Sequence, residues 1–139
     1  MRALDTDILT LLQAGHEPTA ARVLAIPVEQ QYVPIVVAEE QLRGRLDAVR
    51  QAQAGKGKVT LADAYDRLAS TLDDLKRYRV LPYTPAADEL FRGWRAARIR
   101  VGSQDLRVAA ICVAHNATLA TRNARDFRLV PGLALDVWS

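Results

Sequence analysis

Five short apolar runs alternate along the chain with segments of helical periodicity: "RAL" from Arg2, "YVPIVV" from Tyr32, "RVLPY" from Arg79, "TLAT" from Thr118 and "LALDVW" from Leu133. This alternation constrains the fold more than any other feature. Parallel neighbouring strands need a crossover of a dozen or more residues, and a helix supplies it while covering the sheet. The predicted class is therefore α/β, a three-layer arrangement with a central, mostly parallel sheet flanked by helices. With 139 residues and half of them hydrophobic, the chain suits one core, and no stretch is long enough to link two. Residues 1–139 are expected to form a single domain.

The helical segments carry their own punctuation. In "DTDILTLLQAG" Ile8, Leu11 and Leu12 recur at helical spacing and Gly15 supplies a stop. Thr60 with Asp63 reads as a variant capping box before a stripe of Leu61, Ala64, Leu68, Leu72 and Leu75. Thr84 and Pro85 mark another helix start, and "AGKGK" reads as a solvated turn. No apolar run reaches the roughly 18 residues of a membrane span, and the acids in "MRALDTDILTLL" interrupt any signal peptide. The expectation is a soluble, cytoplasmic protein. Cys112 has no partner for an intrachain disulfide and reads as core, while a net charge of +3 permits a polyanionic partner without demanding one.

In open parallel sheets, ligands bind outside the carboxyl ends of the strands. Acids fall at that position throughout this chain: Asp5 after the first strand, Glu39 and Glu40 after "YVPIVV", Asp105 at the start of the helix after Gly102, and Asp126 after "TLAT". Each alone has an ordinary role, as a first-turn acid favoured by the helix dipole or as a turn former. Together they repel one another, and a hard divalent cation with oxygen ligands holds them ionised at least cost. Mg²⁺ or Mn²⁺ is the expected cofactor.

The motifs "LDTDIL", "EEQLRG", "GSQDLRVAAI" and "LATRNARDF" resemble those of the PIN-domain nucleases, especially the VapC-like toxin ribonucleases of type II toxin–antitoxin pairs. Their order and spacing cover nearly the whole chain, and the last two are the most specific. The resemblance implies a PIN-like nuclease domain. It implies that Asp5, Glu40, Asp105 and Asp126 form the catalytic and metal-binding quartet, supported by Thr121 and Asn123. It also implies a metal-dependent endoribonuclease that hydrolyses RNA phosphodiesters, held inactive by a cognate antitoxin. A homodimer is expected. The alternatives are a PIN nuclease outside any such pair and a non-catalytic PIN-like module kept for RNA or protein contact, against which the retention of all four acids speaks.

Two departures bear on the site. Asp7 stands where the family usually has Asn or Ser, adding a carboxylate. The second motif offers adjacent glutamates: spacing to Gly44 favours Glu40, whereas helical phase favours Glu39, about 60° from Leu42 against about 160° for Glu40. Glu40 is taken as the ligand. His16 and His115 read as surface residues rather than general bases, and "GKGK" lacks the pattern of a phosphate-binding loop. Arg122 and Arg125, bracketing Asn123, are candidates for substrate phosphate; Arg43, Arg45 and Arg50, and Arg92, Arg95 and Arg98, are further basic clusters. Trp94 and Tyr83 read as core or dimer contacts in preference to base-stacking platforms.

Overall fold

A computed structural model describes residues 1–138. The strands are β1 (Arg2–Leu4), β2 (Gln31–Pro34), β3 (Arg79–Leu81), β4 (Thr118–Thr121) and β5 (Ala134–Val137). The helices are α1 (Thr6–Gln13), α2 (Glu17–Leu24), α3 (Ile35–Gln53), α4 (Leu61–Leu75), α5 (Pro85–Ala96), α6 (Ser103–Ala114) and α7 (Ala124–Phe127), with a 3₁₀ turn at Val28–Gln30. The strands lie in the order β3-β2-β1-β4-β5 and every pairing is parallel. The chain runs outward from β1 through β2 to β3, then returns to the other side of β1 for β4 and β5. This reversal puts a topological switch point at the carboxyl end of β1, where open α/β sheets bind their ligands.

The helix starts follow the local chemistry of the sequence. Thr60 Oγ1 accepts from the Asp63 amide at 3.2 Å and Thr84 Oγ1 from the Ala87 amide at 3.2 Å, each satisfying a donor that the helix itself leaves unpaired. Helix α6 is buried along Leu106 and the run Val108–Cys112, each at most 1% exposed, which makes it the central packing element against the sheet. Cys112 sits in that core, and burial pushes its thiol up to about 12, leaving it protonated and inert. No helix among the described residues is long and apolar enough to cross a membrane.

Two local expectations are corrected. The run "YVPIVV" does not stay extended: the strand ends at Pro34 and Ile35 begins α3. Proline lacks an amide donor and its fixed φ suits the residue before a helix, so the β-branched Val36 and Val37 enter the helix and pack inward from its first turn. The apolar stripe of α4 is only partly its buried face. Within it Ala64 is buried and Leu68 and Leu75 are partly buried, but Leu61 and Leu72 are 41% and 46% exposed, and Thr71, outside the stripe, is buried. Helix α4 packs chiefly on α3, where a small side chain and a bonded hydroxyl allow the helices to approach.

Candidate active site

Asp5 closes β1 and caps α1. Its amide donates to the Ala120 carbonyl at 3.1 Å, extending the β1–β4 ladder by one bond, while its Oδ1 accepts from the Thr6 amide at 2.8 Å. Its Oδ2 accepts from Thr121 Oγ1 at 2.7 Å. Thr121 is fully buried at the end of β4, and its hydroxyl oxygen also accepts the Asn123 amide at 3.0 Å. One threonine thus orients the first carboxylate and starts the turn that carries Asn123. Asp5 is 6% exposed, and burial raises its pKa to about 6; bonds from Thr121 and Thr6 oppose the rise, and the charges of Asp7 and Asp105 add to it.

The other acids arrive from three separate elements. Glu40 lies one turn beyond the buried Val36 and Val37 of α3, and its Oε2 accepts from Thr6 Oγ1 at 2.8 Å. Asp105 lies in the first turn of α6 behind Gly102, where the helix dipole favours a carboxylate. Its pKa is nevertheless raised, first by burial and then by the charges of Glu40, Asp126 and Asp7. Asp126 lies half-buried on α7, near enough to act on Asp105. A cleft of about 480 Å³ is lined by Asp5, Asp7, Glu40, Asp105, Arg122 and Asn123; Asp126 and Arg125 do not line it.

Glu39 turns away from this cleft. It pairs with Arg43 at 2.7 Å and accepts from Gln104 at 3.2 Å on the exposed side of α3. Leu42 proved the wrong reference for helical phase, because it is only partly buried; Val36 and Val37 define the inward face, and Glu40 follows them at the i+4 and i+3 positions. His16 caps α2, accepting from the Thr19 amide, and His115 contacts the Pro82 carbonyl; neither lines the cleft. Trp94 is in the core, Tyr83 packs partly buried against it with its hydroxyl donating to Asp88, and neither lines the cleft.

Thr6 was missed from the sequence, although a hydroxyl directly after a candidate ligand is a readable signal. Its backbone holds Asp5 and its side chain holds Glu40, which couples two acids from distant parts of the chain. Asp7 proves to be a fifth acid of the cleft, with a buried Oδ1 that has no hydrogen-bond partner.

The electrostatics are one-sided. Among the described residues no Lys or Arg forms an ion pair with Asp5, Asp7, Glu40, Asp105 or Asp126, although the chain contains 19 such cations. Donors of this kind, all oxygen and all anionic, suit a hard cation such as Mg²⁺ or Mn²⁺, and the orphaned oxygen of Asp7 is the type of group one would satisfy. As they stand, no three of the acidic, His or Cys side chains among the described residues are grouped closely enough to ligate an ion. The acids are gathered, and a cation would have to draw them together.

The chain superposes on the DNA-bound VapBC of Salmonella typhimurium with a TM-score of 0.79, covering 99% of this chain and 98% of that one at 20% identity. The two share one fold. A second similar structure is a toxin–antitoxin complex from Klebsiella pneumoniae, with a TM-score of 0.72, 21% identity and 96% of each chain covered. In sequence, the chain is similar to Ribonuclease VapC of Rickettsia bellii, with 28% identity over 130 residues, which is 94% of this chain and 90% of that protein. No protein-family model matches the chain.

Proposed function

We propose that this chain is a metal-dependent endoribonuclease, the toxin of a toxin–antitoxin pair, with Asp5, Glu40, Asp105 and Asp126 as its catalytic and metal-binding acids. The observation that carries the reading is the gathering of unneutralised carboxylates, from α1, α3, α6 and α7, at the switch point of a parallel sheet. The similarity to a protein named as a ribonuclease supports the reaction, and the likeness to toxin–antitoxin complexes supports an antitoxin partner.

When bound, a divalent cation would neutralise the acids, polarise a phosphodiester and lower the pKa of a water. The chain's own residues then have separable tasks. Thr121 and Thr6 fix the rotamer of Asp5, so that its carboxylate is oriented before any ligand arrives. Thr6 also fixes Glu40. Arg122, exposed at the cleft, supplies a positive charge for substrate phosphate, and Asn123 offers a side-chain amide, unbonded among the described residues, beside it. Arg125 is exposed outside the cleft, where it can hold phosphate only further along the strand.

The direct test is cleavage of RNA by the purified chain with Mg²⁺ or Mn²⁺, in EDTA, and after metal is restored. Cleavage should stop in chelator and return with excess metal; undiminished cleavage in EDTA would overturn the metal reading. Glu40→Gln should weaken Mn²⁺ binding, measured by calorimetry, by about tenfold or more. Glu39→Gln should leave it within about twofold, because that side chain is already committed to Arg43 and Gln104 outside the cleft. The reverse order would move the ligand to Glu39.

A further inference from the structure

We propose that Arg45 forms a phosphate-binding subsite beside the carboxylate cleft, holding the RNA backbone next to the bond that is cut; this rests on the ribonuclease reading above. Most basic residues of the neighbouring clusters are already committed. Arg43 is paired with Glu39 at 2.7 Å, Arg50 with Asp47 at 3.5 Å and Arg92 with Asp88 at 2.9 Å. Arg95 donates to Ser103 and lies over the ring of Phe91. Arg45 is different. Its Nε donates at 2.9 Å to Thr71 Oγ1, a neutral hydroxyl that is 1% exposed on α4. That bond fixes the plane of the guanidinium, and no hydrogen bond or ion pair among the described residues engages the two terminal nitrogens. A planar donor pair held in place in this way suits bidentate recognition of phosphate.

The surroundings of Arg45 connect it to the acids. A hollow of about 260 Å³ is lined by Thr6, Thr10, Gln13, Glu40, Gln41 and Arg45, with Gly44 between the last two. It shares Thr6, Thr10 and Glu40 with the carboxylate cleft. A wider hollow of about 610 Å³ continues from Thr10, Gln13 and Arg45 to Ser70 and Thr71, where Arg67 adds a second cation and Asp66 and Asp74 close its far side with carboxylates, so the phosphate position lies at the Glu40 end. The wall of the smaller hollow is polar: Gln13 donates to Gln41 at 2.6 Å, and Gln41 donates to Thr10 at 3.3 Å. Glu40 and Arg45 stand about 7.5 Å apart along the axis of α3 and about 140° apart around it, and the smaller hollow reaches both.

Gly44 is the second, independent observation. Glycine inside a helix lowers helix stability relative to alanine and needs a reason. Here the protein provides none: a Cβ built at Gly44 meets no atom within 4 Å, and its φ is not positive. The bare backbone forms part of the floor of the hollow between Glu40 and Arg45, where a ligand and not the fold gains from the missing side chain. A polar floor with a clamped guanidinium points to a nucleic-acid backbone rather than to an apolar peptide face.

The test uses oligouridylates of increasing length, bound in EDTA across a salt series, together with steady-state cleavage in Mg²⁺. Arg45→Met should lower the counterion-release slope by about one unit and raise KM by about tenfold with a smaller change in kcat. Thr71→Val should weaken binding with the slope retained, since the charge stays and only its orientation is lost. Gly44→Leu should raise the melting temperature while weakening RNA binding, a pairing that a purely structural glycine would not give. An unchanged slope and KM in folded Arg45→Met, or wild-type binding in Gly44→Leu, would overturn the subsite and leave the hollow to a polypeptide. If Arg45→Met does not fold, the other two variants decide. Wild-type cleavage is a separate readout: its absence sinks the ribonuclease reading, whereas normal cleavage with inert variants sinks the subsite alone.

Discussion

Asp105→Asn should reduce metal-dependent RNA cleavage by roughly a hundredfold or more while leaving the protein folded. The size follows from the position of the side chain. Asp105 receives the charge of Glu40, Asp126 and Asp7 at once, so it lies where the cluster converges, and on the proposed reading removing its charge removes a metal ligand from the centre. The fold should tolerate the change because Asn is nearly isosteric and Asp105 makes no side-chain hydrogen bond or ion pair among the described residues. Losing a first-turn carboxylate costs about 0.3–1 kcal/mol of helix-dipole interaction. Relief of repulsion from three neighbouring acids offsets that cost. Asp73→Asn, at an exposed acid of α4 paired only with Lys76, serves as the control and should cut like the wild type. Circular dichroism melts of both variants separate a chemical defect from an unfolded one. Cleavage within a few-fold of wild type in folded Asp105→Asn would remove Asp105 from the site.

The second large effect is on stability and its pH dependence. Burial raises the Asp5 pKa from 3.8 to about 6, so between those values the native state holds a proton that the unfolded chain releases. The favourable contribution is therefore complete below about pH 4 and disappears as the pH rises through about 6. For the metal-free protein, the loss is on the order of 3 kcal/mol by neutral pH. Asp5→Asn should abolish this term. The gain should be partial, about 1 kcal/mol near pH 8, because Thr121 would lose a carboxylate acceptor for its buried hydroxyl. Near pH 4 the gain should vanish or reverse. Mg²⁺ should raise the melting temperature of the wild type and have much less effect on the variant, since only a ligand bound to the native state stabilises it. Denaturant melts at both pH values, with and without Mg²⁺, measure every arm. If Asp5→Asn destabilises the protein at both pH values and Mg²⁺ shifts both proteins equally, Asp5 is a helix cap and nothing more.

Most of the architecture was legible because it is written in local patterns. All five strands formed where short apolar runs stood, and the caps at Thr60 and Thr84 began the helices they announced. The order of the acids was equally plain, since the rule that ligands gather at strand ends needs only the alternation. Where the pattern was read too literally, a competing constraint decided. Pro34 ended β2 within a β-branched run, and on α4 Leu61 and Leu72 stayed exposed while Thr71 joined Ala64 on the packed face.

What tertiary structure alone decided is which side chains meet. Thr6 bonds Glu40 across 34 residues and Thr121 bonds Asp5 across 116, and no local periodicity encodes a partner at that distance. Periodicity tells how side chains follow one another around a helix, but it cannot say which neighbour the helix faces. So the sequence by itself determined an alternating α/β chain with acids in a definite order. Only packing separated Glu40 from Glu39, brought Asp7 into the cleft, and pinned Arg45 to a buried hydroxyl while pairing Arg43 and Arg50 with carboxylates.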